Sequence, residues 1–170
     1  MRLPLLALAL GVLWGCAPPT PIGVPRPLGL VADPQEYAPY SSSGSKALSG
    51  QAFLTTRGGD VKLAAGRLVT LDPATKYAKE WFRRFGADSR RFDVPAPDSL
   101  FIKARRTSTA NAEGRFRFSD LPPGDYIIRS MVTWETGSAY SGLQGGVVAS
   151  LVSLRIDKSD EVIRVCPVPS

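Results

Sequence analysis

The chain contains no histidine. That removes the commonest general base and the commonest zinc ligand, and it excludes serine-histidine and cysteine-histidine mechanisms within this chain. No serine and lysine sit together in a recognisable dyad motif, so no catalytic set and no enzymatic activity are expected. The glycine-rich stretch from Thr136 to Gly146 lacks the Gly-Lys-Ser/Thr ending of a phosphate loop. Asp120, Asp125, Asp157, Asp160 and Glu161 lack the spacing of a calcium loop and read as solvated turn carboxylates. Neither a metal nor a cofactor is therefore expected. Cysteine is scarce too, with only Cys16 and Cys166. No apolar run reaches the ~20 residues that a spanning helix needs; the one from Leu3 to Trp14 has about twelve.

That short run is informative. Arg2 precedes it, and it ends in Leu13-Trp14-Gly15-Cys16, the order of a cleaved secretory signal. Leu13, Gly15 and Cys16 resemble the lipobox of bacterial lipoproteins, with Trp14 where the pattern usually has a small residue. The resemblance implies cleavage after residue 15, a lipid on Cys16 and a palmitate-type acyl anchor in a membrane. Ala17 in place of aspartate implies sorting to the outer membrane, with the domain in the periplasm or at the surface. Cys166 is then the odd cysteine; were Cys16 not lipidated, a disulfide between the two becomes open in an oxidising compartment. Loss of residues 1–15 takes the formal charge from +6 to +5, a weak preference for acidic partners. Export makes nucleic acid the least suited of these, so the expected partners are the membrane, an envelope protein or a glycan.

Residues 16–45 are rich in proline, glycine and serine without apolar periodicity. They read as a polyproline-type tether, with a Ser41–Ser45 hinge. Its middle, with Leu28, Leu30, Val31 and Tyr37, reads equally well as an irregular strand along the domain. Beyond residue 45 the pattern changes to short β-branched and aromatic segments punctuated by glycine and proline, an all-β signature. Seven strands are expected, at 47–56, 61–71, 101–110, 115–119, 125–135, 147–157 and 161–165, which suits a sandwich. Between the second and third, Asp72-Pro73 reads as the start of a short amphipathic helix ending at Gly86. Its apolar arc carries Ala74, Tyr77, Ala78, Trp81, Phe82 and Phe85, and its polar arc Lys76, Lys79, Glu80, Arg83 and Arg84.

From Ala112 to Arg129 the chain reads Ala-Glu-Gly-Arg-Phe-Arg-Phe-Ser-Asp-Leu-Pro-Pro-Gly-Asp-Tyr-Ile-Ile-Arg. With Ser49–Phe53 and Val61–Gly66 upstream, it resembles the carboxypeptidase regulatory-like family of transthyretin-like β-sandwiches. The likeness spans about residues 47–165 and implies a domain over 46–170 that is a non-catalytic binding or assembly module. A carbohydrate-binding module and a secretion-apparatus lipoprotein are the alternative readings. Two surfaces stand out. Trp134 and Tyr140 would form an aromatic platform for a sugar ring, against core or rim packing for Trp134. Lys79, Arg83, Arg84, Arg90 and Arg91, with Lys103, Arg105 and Arg106 close in sequence, would form an anion-binding patch, against an ordinary solvated face.

Overall fold

The computed structural model describes residues 28–86, 96–135, 137, 142–155 and 160–165. The signal, Cys16, Arg90, Arg91, Tyr140 and Cys166 lie outside the described residues. Among those described, eight strands form two sheets. In the first, β1 (Lys46–Thr55) pairs antiparallel with β2 (Val61–Leu63) and β5 (Arg115–Leu121), and parallel with β8 (Asp160–Val165). The second runs β4 (Arg106–Thr109), β3 (Leu68–Pro73), β6 (Gly124–Glu135), β7 (Leu143–Leu154), antiparallel throughout.

Alternating side chains explain why the sheets stack. On β5, Phe116 and Phe118 are buried while Arg115, Arg117 and Ser119 are exposed. On β6, Tyr126, Ile128 and Val132 face the same interior. Leu48 and Ala52 from the first sheet meet Val69, Leu71, Val148 and Val152 from the second, in one core between the layers.

The expected strand over 61–71 is two strands. The chain leaves the first sheet at Ala64 and enters the second at Leu68, and the corner is made by Gly66 at φ +68°, whose N–H donates to Ala110 O at 3.0 Å. The expected strand over 101–110 is half helix: α3 (Ser99–Ala104) is capped by Asp98, which accepts from Leu100 N at 2.8 Å, and only Arg106–Thr109 pairs as a strand. Strand β7 begins at Leu143 instead of 147, so Leu143–Gly146 belong to a ladder with Val132–Glu135.

The amphipathic helix is present, shifted by three residues. Asp72 and Pro73 finish β3, and Thr75 is the cap of α2 (Lys76–Trp81), which continues into a wider π turn, Phe82–Gly86. Its apolar arc covers the outer face of the second sheet: Tyr77, Ala78 and Trp81 pack with Phe101 of α3 and Ile127 of β6. That layer is why Ile127 is only 6% exposed although it points away from the main core. Trp81 faces protein, not solvent, with Phe82 and Phe85 partly buried beside it.

The segment before β1 is part of this layer from Leu28 onward. Asp33 caps a single helical turn, α1 (Pro34–Tyr37), followed by a 3-10 turn at Ala38–Tyr40. Leu28, Ala32 and Tyr37 are buried with Tyr77 and Trp81. Of the two readings of this stretch, packing along the domain holds, as helix rather than strand, and the folded body starts well before residue 46. The Tyr40 ring lies edge-on to Tyr126 at 5.2 Å and over Gly124, where any Cβ would come within 2.7 Å of it.

Three tyrosines lock the layers together, and each phenol is raised chiefly by burial. Tyr37 is pushed up to about 12, and Tyr40 and Tyr126 are raised as well. A raised phenol favours the neutral form in the fold, so the stability it contributes is full below the ordinary value of 10.0 and is lost as pH rises through the folded value. Alkaline titration followed by tyrosinate absorbance should show these rings ionising late, and denaturant should return them to ordinary behaviour. Ordinary ionisation in the folded protein would show that the N-terminal segment does not pack as described.

Candidate functional site

The joint between the N-terminal segment and α2 is built by helix capping. Thr75 Oγ1 accepts from Ala78 N at 3.2 Å and donates to Tyr37 Oη at 2.8 Å, while Glu36 accepts from Lys76 N at 2.8 Å. The first turn of α2 is thus closed by its own cap and by a carboxylate from α1. Beside this joint lies an open groove of about 940 Å³ between Leu28–Tyr40 and the polar face of α2. Gln35, Glu36, Lys76 and Lys79 supply polar groups along it, Tyr40 an aromatic edge, and Leu28 and Leu30 an apolar floor.

Lys79, Arg83 and Arg84 all line this groove, so the structure brings three of the five expected basic residues together. Two are already committed. Arg83 donates twice to Glu80, at 2.8 and 2.7 Å; Arg84 donates to Glu80 at 2.6 Å and to Leu28 O at 3.2 Å. The two guanidiniums hold the Glu80 carboxyl down at about 2. Both guanidiniums are exposed although Glu80 is half-buried, so the pairing adds little stability; its consequence is geometric, since Arg84 ties α2 to the N-terminal segment. Lys79 stands exposed on the same face.

Trp134 lies toward the end of β6 on the side facing the other sheet, half-buried, with Lys62 Nζ 5.9 Å from the ring centre. This is rim packing against β2. Tyr140, its expected partner in a platform, lies outside the described residues. Gln35, Glu36 and Tyr40 escape sequence reasoning because the proline-rich segment has no apolar periodicity to place them, whether it is taken as tether or as packed strand. Asp33-Pro34 was the available signal, an N-cap followed by proline at the first helical position.

No family model matches the chain, and no curated protein matches it. A solved structure does. A candidate carbohydrate binding protein from Pseudomonas aeruginosa, PA1324, superposes with a TM-score of 0.70 at 29% sequence identity, over 79% of this chain and 97% of that one. Two pilins align far more loosely: the minor pilin GBS52 of Streptococcus agalactiae, at 19% identity and a TM-score of 0.34 over 76% of this chain and 47% of its own, and a streptococcal ancillary pilin, at 13% and 0.33 over 75% and 31%. The Pseudomonas structure shares the two-sheet body; at the pilins' scores nothing follows from the likeness.

Proposed function

We propose that this chain is a non-catalytic carbohydrate-binding module of a bacterial cell envelope, holding its sugar in the groove between Leu28–Tyr40 and α2. The observation that carries the reading is the make-up of that groove. A sugar presents hydroxyls that both donate and accept, and a ring face of C–H groups. Gln35, Glu36 and Lys79 offer matching polar groups, and Tyr40 with Leu28 and Leu30 offers apolar contact. The likeness to the Pseudomonas protein supports it at the level of fold and named ligand class. On this reading the domain is a transthyretin-like sandwich of the carboxypeptidase regulatory-like kind. Its anchor is the lipid on Cys16, in the outer membrane, with the groove in the periplasm or at the cell surface.

Ligand and anchor are tested on one preparation from envelope membranes. Labelled fatty acid should enter the wild-type protein and not a Cys16→Ser variant; label-free wild type ends the lipoprotein reading. In calorimetry against a panel of neutral oligosaccharides, at least one should bind, and Gln35→Ala with Lys79→Ala should weaken it at least tenfold, since hydrogen bonds to polar and charged groups each contribute about 1–3 kcal/mol. An unchanged melting temperature would locate the loss in the groove. Binding that survives both substitutions places the sugar elsewhere, and no binding to any member removes the carbohydrate reading.

A further inference from the structure

Under the helical layer, one carboxylate is bonded by one arginine and lies near a second. Arg105 Nε and Nη2 donate to the two oxygens of Asp72 at 2.6 and 3.1 Å, with Asp72 3% exposed. Arg129, two residue pairs along the β3–β6 ladder from Asp72, donates to Thr70 Oγ1 at 3.2 Å and lies 4.9 Å over the Trp81 ring. Its basicity is lowered first by burial and then by Arg105. The cluster therefore keeps an excess positive charge in a place where water screens it poorly.

Arg105 also forms part of the wall of a second pocket, of about 440 Å³, between the Pro34–Ser41 turn and α3. Its polar lining is Tyr37, Tyr40, Ser41, Lys103, Arg105 and Arg106, and among the described residues no carboxylate lines it. Lys103 and Arg106 are exposed at its rim. Two of the three guanidinium nitrogens of Arg105 are used on Asp72, which leaves the group further N–H donors. We propose that this pocket binds the oxyanion of an acidic sugar unit, a ring carboxylate or a sugar phosphate, which would offset the excess charge of the Asp72–Arg105–Arg129 cluster. Tyr40 borders both cavities, so a glycan lying in the groove can carry its acidic unit past this ring into the pocket. The inference rests on the carbohydrate reading for the sugar part and on the cation cluster for the anionic part.

Calorimetry on the full chain with glucose, glucuronate, glucose 6-phosphate and inorganic phosphate separates these parts. Glucuronate or glucose 6-phosphate should bind at least tenfold more tightly than glucose, and whichever is preferred identifies the carboxylate or the phosphate as the anion. That preference should shrink as salt rises and disappear in Lys103→Glu with Arg106→Glu, while neutral oligosaccharides still bind in the groove. Lys103→Gln with Arg106→Gln, which removes charge without reversing it, should give the same loss in milder form if the reversal disturbs folding. Acidic sugars that bind no better than glucose, a preference untouched by both variants, or inorganic phosphate that binds as tightly as glucose 6-phosphate would each overturn the proposal. The first two leave the groove reading standing.

Discussion

Replacing Asp72 with alanine should destabilise the domain by about 3–5 kcal/mol, because it leaves the half-buried Arg105 without its carboxylate partner and the neighbouring Arg129 without the charge that offsets it. The loss is a large part of a stability of about 5–15 kcal/mol, so the urea midpoint of the variant should fall sharply. Asp72 sits at the end of β3, 3% exposed, with both oxygens on Arg105 and with Arg129 nearby. Burial alone drives its carboxyl upward, and the two arginines oppose that. Urea denaturation measures the cost. Pairing Asp72→Leu with Arg105→Met should recover much of the stability, since an apolar pair of similar volume avoids burying charge at all. A single Asp72→Ala variant as stable as wild type would show that the pair is reached by water.

The second large effect belongs to the main core. Phe118→Ala should cost about 3–5 kcal/mol, through lost transfer energy and a cavity between the sheets. The ring is 6% exposed and lies 6.0 Å from Phe116, on the strand whose other face carries Arg117. Arg117→Ala should cost less than about 1 kcal/mol; its guanidinium is exposed and donates to Ser49 Oγ at 3.2 Å. Equal, small effects from both would contradict the inward and outward alternation of β5.

That alternation was readable from the sequence because the two sides of β5 meet different environments. The same rule failed where both faces are covered. Ile127 points outward by parity, yet it is buried because α2 and α3 lie over it. Periodicity also gave the apolar arc of α2 correctly but not its start. Asp72-Pro73 carries the local signature of a helix N-terminus, and the pairing of Asp72 with Ile127 and of Pro73 with Tyr126 across the sheet overrides it. Asp33-Pro34 carries the same signature and does begin a helix, because no neighbouring strand claims it. The candidate site suffered from the same ambiguity. Half of the groove comes from α2, whose charged face was legible, and half from a proline-rich stretch with no periodicity, whose packing depends on partners far away in sequence.

The early start of the folded body also fixes a length. Were Cys16 held at a bilayer, only about twelve residues would separate it from Leu28, which already lines the groove, and a chain fully extended at ~3.3–3.6 Å per residue covers about 40 Å in that number. The module would then work on a short leash, sampling a thin shell next to the membrane that holds it. Polymers anchored in or lying against that membrane would come within its range, while those beyond the shell would have to be brought to it.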